Sequence, residues 1–125
     1  MGRCRTAKEQ YLSRVTEYMR EHLKENLTLS QIAREAGLSE SYLNAIFKER
    51  VQSAPMDYYI NLKMEQACCL LACSDLRIYQ IAQSLGYDNQ YYFSRAFKKV
   101  LGMSPKAYKD RLAAQPMETV FLFPI

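Results

Sequence analysis

The chain has 125 residues, 49% of them hydrophobic, and carries 17 Lys+Arg against 13 Asp+Glu for a net charge of +4. That length suits one compact unit or two very small ones, and the mildly basic balance permits a nucleic-acid partner without requiring one. No run of about 18 apolar residues is present, and the amino-terminal MGRCRTAKEQ lacks the apolar core of a signal peptide, so a cytosolic protein with no membrane partner is expected. In that compartment Cys4, Cys68, Cys69 and Cys73 are expected to be reduced.

Thr6 and Glu9 form a T-x-x-E capping box that opens a first helix, expected to run to about Lys24. Tyr11, Val15, Tyr18, Met19, His22 and Leu23 recur at helical spacing along its inner face, and Asn26 is expected to end it. His22 is the only histidine and has no partner set nearby, so it reads as structural or solvated rather than catalytic. Thr28 and Gln31 form a second capping box, ahead of a short helix through Ile32 and Ala33 that Gly37 closes. Ser39 caps the next helix, with Leu43, Ile46 and Phe47 inward and Ser41, Asn44, Ala45 and Lys48 outward.

Pro55 suits the first position of a longer helix that continues to about Cys73; ~19 residues at 1.5 Å each span roughly 28 Å. Ser74 and Asp75 break it. A short helix from about Ile78 to Leu85 follows, with Ile81, Ala82 and Leu85 on one face and Gly86 just past its end. Asp88 is expected to cap the helix after that, whose inner stripe is Tyr92, Phe93, Ala96, Phe97 and Val100. Gln90, Tyr91, Ser94, Arg95 and Lys98 take its opposite face. Ser104 and Pro105 open a last helix, with Tyr108 inward and Lys106, Lys109 and Arg111 outward. Beyond Ala114 the tail has no helical period. Its apolar end, Val120 to Ile125, is open to three readings: docking on the domain, meeting a further sensing domain, or disorder. With no alternating strand pattern anywhere, the chain is expected to be all-α, with about seven helices.

The halves repeat. Ile32, Ala33 and Gly37 align with Ile81, Ala82 and Gly86 at an offset of 49, and Leu43, Phe47, Lys48, Pro55 and Tyr58 align with Phe93, Phe97, Lys98, Pro105 and Tyr108 at an offset of 50. The inserted residue falls in the turn or at the start of the second helix, where a length change costs least. In each copy two helices are joined by a glycine turn, the second with polar groups outward, which is the pattern of a helix-turn-helix DNA reader. Two readers on a rod of roughly 28 Å can address successive major-groove segments about 34–36 Å apart, the difference being absorbed by tilting or by bending the DNA.

The second copy, IAQSLGYDNQYYFSRAFKKVLGMSPKAY, closely resembles the signature of the AraC/XylS family of bacterial transcription regulators. The residues carrying the likeness are Ile81, Ala82, Gly86, Tyr87, Phe93, Phe97, Lys98, Gly102, Ser104, Pro105 and Tyr108. Upstream, Pro55, Tyr58, Lys63, Ala67, Leu70 and Leu71 resemble that family's linker helix. The likeness covers about Leu27 to Arg111. It implies two homeodomain-like helix-turn-helix subdomains joined by a long linker helix: 7–52, 55–73 and 75–113, within a DNA-binding domain over 1–113 and followed by a tail over 114–125. It also implies promoter DNA as partner, contact with RNA polymerase and usually activation of transcription. Two sub-readings follow: the reader of a longer ligand- or phosphorylation-controlled protein, or a short stand-alone regulator. The isolated domain is expected to be monomeric, with dimerisation left to a full-length protein. Three positions depart from the family pattern. Lys63 replaces an arginine, losing a bidentate fork; Gln52 replaces the glycine that matches Gly102, so a different turn is expected before Pro55; Lys109 replaces an arginine.

Helical geometry points Gln90, Tyr91, Ser94 and Arg95 at the groove in the second copy, and Glu40, Ser41, Asn44 and Ala45 in the first. Arg95 can take guanine O6 and N7 together, Gln90 or Asn44 can take adenine N6 and N7, and Ala45 can touch a thymine methyl. Glu40 either favours the positive helix start or accepts from cytosine. More hydrogen-bonded base readout is therefore expected from the second copy. Phosphate contacts are expected from Lys48, Lys98, Lys99 and Lys106, and from helix starts near Thr28, Arg77 and Ser104. Cys68, Cys69 and Cys73 lack C-x2-C spacing and a fourth ligand, so neither a metal nor any other cofactor is expected. No paired-carboxylate, Cys/His, Ser/His/Asp or phosphate-loop constellation is present, which argues against an enzyme. A helical protein-interaction module presenting its tyrosines is the competing reading.

Overall fold

The computed structural model describes residues 6–114; Cys4 and the segment from Val120 to Ile125 lie outside the described residues. Those residues form seven α-helices and no strand: α1 (Ala7–Glu21), α2 (Leu29–Ala36), α3 (Glu40–Arg50), α4 (Pro55–Cys73), α5 (Ile78–Ser84), α6 (Gln90–Leu101) and α7 (Pro105–Ala113). The chain divides into two compact units, one up to Leu62 and one from Lys63, and the division falls inside α4. Each unit is described by itself below.

In the first unit α1, α2 and α3 pack on one another, and the start of α4 completes the core. Val15, Met19, Ile32, Leu43, Ile46, Phe47 and Tyr59 are its most deeply buried side chains. Both capping boxes form. Thr6 accepts from the Glu9 amide at 3.2 Å while the Glu9 carboxylate accepts from the Thr6 amide at 3.1 Å. Thr28 and Gln31 make the same exchange at 3.1 and 2.8 Å. Each satisfies two of the amides that a helix start leaves without partners.

The first helix ends earlier than its periodicity suggests. Its last residue is Glu21, not Lys24, and His22 is the cap. A partner from outside the helix explains the stop. The Tyr59 hydroxyl, carried in by α4, lies 2.6 Å from the His22 carbonyl and 2.5 Å from that of Glu25, which draws both into a turn. His22 thereby gains a structural place, its Nδ1 2.7 Å from the Tyr18 carbonyl.

The second unit is built from the end of α4 with α5, α6 and α7. Met64, Ala67, Cys68 and Leu71 from α4 are buried, as are Ile81, Ala82, Leu85, Phe93, Phe97 and Tyr108. The repeat extends to this packing. Phe97 meets Tyr108 edge-on at 5.6 Å, as Phe47 meets Tyr58 at 5.7 Å in the first unit. Truncating one such buried phenylalanine to alanine costs about 3–5 kcal/mol, comparable to the whole stability of a small domain.

The glycine turns also match bond for bond. Gly37 donates to Arg34 at 3.1 Å and Leu38 to Ala33 at 2.9 Å; Gly86 donates to Gln83 at 3.1 Å and Tyr87 to Ala82 at 3.0 Å. Gly37 has φ +70° and Gly86 φ +86°, the left-handed conformation this closure needs. The two copies part after that point. Asn89, not Asp88, caps α6, its Oδ1 accepting from the Tyr92 amide at 3.0 Å. Asn89 lies 50 residues after the cap Ser39, so Asp88 is the inserted residue of the turn. The turn before Pro55 corrects another expectation. Gln52 takes φ +63°, in the same left-handed region as Gly102 at +81°. The backbone keeps that conformation without glycine, at a cost of about 1–2 kcal/mol for a side-chain-bearing residue.

Candidate nucleic-acid interface

Within the second unit, the glycine turn after α5 directs α6 so that Phe93 and Phe97 are fully buried. The same rotation about the helix leaves Gln90, Tyr91, Arg95, Lys98 and Lys99 exposed. Ser94 lies nearer the core and is only half-buried. Tyr92 was expected on the inner stripe but is 56% exposed. Phe93 takes the inward position, and a residue one step away on a helix points about 100° off it. The displaced ring packs edge-to-face on Tyr91 at 5.6 Å.

Tyr91 is the most exposed large hydrophobic side chain among the described residues, at 64%. The Arg95 guanidinium lies over its ring, 5.7 Å from the centroid. The outward face of α6 therefore presents an amide, two aromatic rings and three cations.

In the first unit α3 presents Glu40, Ser41, Asn44, Ala45 and Lys48, all exposed, opposite the buried Leu43, Ile46 and Phe47. Glu40 sits in the first turn, where a negative charge favours the helix start. Tyr42, at the position of Tyr92, is 37% exposed and packs edge-on against Tyr11 at 6.0 Å. Ser41 and Ala45 occupy the positions of Tyr91 and Arg95, so this face has neither the ring nor the guanidinium.

The remaining sequence-predicted contacts are placed less uniformly. Lys106 is exposed but pairs with Asp110 at 3.3 Å, which offsets part of its charge. The Thr28 hydroxyl and amide are both engaged by Gln31, and the Ser104 hydroxyl accepts from the Ala107 amide at 3.1 Å. The Arg77 amide donates to Gln80 at 2.8 Å. These groups hold helix starts in place, and their capping bonds engage them.

Lys63 is the residue whose place the periodicity of α4 does not reveal. It is 4% exposed, and its ammonium donates to the Leu85 carbonyl at the end of α5. The same ammonium lies 5.8 Å from the centroid of Tyr87, whose ring meets Phe93 at 5.6 Å. Lys63 thus ties α4 to the turn that launches α6. The one signal available in the sequence was a cation at a position where the family pattern has arginine.

The cysteines differ in environment. Cys68 is buried and hydrogen-bonded to Tyr108, and burial pushes its thiol up to about 11; Cys69 is half-buried and raised for the same reason; Cys73 is exposed. A thiol held protonated is a poor nucleophile and a poor ligand. Among the described residues no group of three or more His, Cys, Asp or Glu is arranged to hold a metal, and no helix is long and apolar enough to cross a membrane.

A family model described as a helix-turn-helix domain matches residues 32–111. The MmsAB operon regulatory protein of Pseudomonas aeruginosa is 42% identical over 95 residues, covering 76% of this chain and 31% of that protein. The chain spans about a third of the length of the relatives it matches. The C-terminal domain of AraT, a response regulator from Geobacillus stearothermophilus, superposes with a TM-score of 0.79 at 33% identity, covering 85% of this chain and 88% of that one. The DNA-binding domain of AdpA, solved in complex with a target DNA, superposes with a TM-score of 0.77 at 29% identity, covering 82% and 93%. Its matching family model, its operon-regulator relatives and its duplicated glycine-turn helix pairs agree, and the chain belongs to the AraC-type family of helix-turn-helix DNA-binding domains.

Proposed function

We propose that this chain is a sequence-specific reader of double-stranded DNA, placing α3 and α6 in successive major-groove segments of one duplex. The observation that carries the reading is the face of α6. Gln90, Tyr91 and Arg95 stand exposed opposite the buried Phe93 and Phe97, in a fold shared with a domain solved on its target DNA. Gln90, Tyr91, Ser94 and Arg95 read bases in the second half-site, Ser41, Asn44 and Ala45 in the first. Lys48, Lys98, Lys99 and Lys106 hold phosphates, with the helix starts at Thr28 and Ser104 fixing register. The reader occupies residues up to about 113 and belongs to a longer cytoplasmic regulator that activates transcription through RNA polymerase and dimerises through its other parts. The length of its relatives supports that context. No catalytic step is assigned to it.

Binding of labelled duplexes across a salt series tests this. A selected duplex of about two helical turns should bind far more tightly than a random one, with log affinity falling steeply against log salt. Arg95→Ala should cost roughly 1–3 kcal/mol of preference at one base pair, whereas Lys99→Ala should weaken all sequences alike. A chain that binds no duplex better than a random one would instead act as a protein-interaction module.

A further inference from the structure

Arg95 and Tyr91 are one helical turn apart on the same face of α6, the spacing at which helix side chains meet. The guanidinium carbon lies 5.7 Å from the centroid of the Tyr91 ring. Tyr91 is itself steadied by an edge contact with Tyr92, at 5.6 Å and 65° between planes. Among the described residues Arg95 has no carboxylate partner, so the ring is its neighbour of consequence. A guanidinium held over a ring, with no carboxylate to engage it, leaves its N–H groups available, and those are what guanine O6 and N7 accept from. A free arginine loses considerable rotamer freedom when it is fixed against a base.

We infer that Tyr91 is a positioning residue for Arg95, its ring presetting the guanidinium for a guanine edge, so that the Tyr91–Arg95 pair sets the preference at one base pair. This rests on the DNA-reading function proposed above. The first copy has Ser41 and Ala45 at these positions, so the guanine preference belongs to the second half-site alone. The first half-site is left to Ser41, Asn44 and the methyl contact of Ala45, of which the last two favour A·T pairs.

The test uses the whole chain and four duplexes that differ only at the base pair most sensitive to Arg95→Ala. The unsubstituted chain should favour its best base by about tenfold or more there. Tyr91→Ala should bring that preference to within about threefold, Tyr91→Phe should retain it, and adding Tyr91→Ala to Arg95→Ala should change it no further, as coupled residues behave. Both side chains are exposed, and unchanged thermal unfolding of each variant separates these effects from a loss of fold. Tyr91→Ala keeping full preference at a pair that Arg95→Ala abolishes would overturn the inference and leave the proposed function standing. An Arg95→Ala that alters no base pair would overturn the inference together with the assigned readout face. Equal binding of a selected and a random duplex by the unsubstituted chain would overturn the proposed function itself.

Discussion

The ammonium of Lys63 on α4 donates to the main-chain carbonyl of Leu85, 22 residues further along, where α5 gives way to the turn before α6. Leu85 is 1% exposed, so this carbonyl has little recourse to water. Lys63→Met should therefore leave a buried acceptor unsatisfied and lower stability by about 1–3 kcal/mol. Lys63→Arg, which keeps a donor, should cost less. Urea unfolding of the two variants checks this, and equal stability of Lys63→Met and the unsubstituted chain would show that the bond contributes nothing net.

The left-handed conformation of Gln52 predicts a gain. Gln52→Gly should relieve backbone strain while adding freedom to the unfolded chain, for a net stabilisation of about 0.5–1 kcal/mol. The reciprocal Gly102→Ala should destabilise by about 1 kcal/mol. A β-carbon at Gly102 would meet nothing within 4 Å, so the loss would come from the backbone conformation alone. Thermal unfolding of both variants reads the two signs.

The start of α6 separates two adjacent side chains. Asn89→Ala removes the acceptor for the Tyr92 amide and should cost about 1 kcal/mol. Asp88→Ala, at an exposed turn position, should stay within about 0.5 kcal/mol. A larger loss from Asp88→Ala than from Asn89→Ala would mean that the capping assignment is reversed.

Alkaline pH should loosen the second unit. Burial raises the Cys68 thiol to about 11 from an ordinary value near 9, and raises the Tyr108 hydroxyl as well. Both groups are held neutral by the fold and ionise more readily once unfolded. Their contribution is thus fully present below about pH 9 and is lost as pH rises toward 11. Stability measured by urea unfolding should fall between pH 8.5 and 10.5, and Cys68→Ala should flatten that fall. At pH 8 a thiol reagent should modify the exposed Cys73 well before Cys68, as mass mapping would show.

The sequence by itself determined whatever rests on neighbouring residues. The capping boxes at Thr6 and Thr28 form because donor and acceptor lie three residues apart. Gly37 and Gly86 close their helices because that backbone conformation is cheap only for glycine. Leu43, Phe47, Phe93 and Phe97 are buried where their helical spacing puts them, and the repeat relating them is visible as two offsets. The tertiary structure decided what depends on distant groups. Tyr59 reaches in from α4 to end α1 at Glu21, a contact that no feature near Lys24 foretells. Phe93 outcompetes Tyr92 for the core, because only packing chooses between two adjacent aromatic residues. Gln52 adopts the left-handed conformation that Gly102 takes in the other copy, which its residue type does not foretell. Lys63 is buried because a carbonyl and a tyrosine ring 22 and 24 residues away meet it there. The exposed face of α6 was legible as a list of residues from its helical period; that Arg95 lies over Tyr91 was not, because rotamers are chosen by the neighbours present in the folded chain.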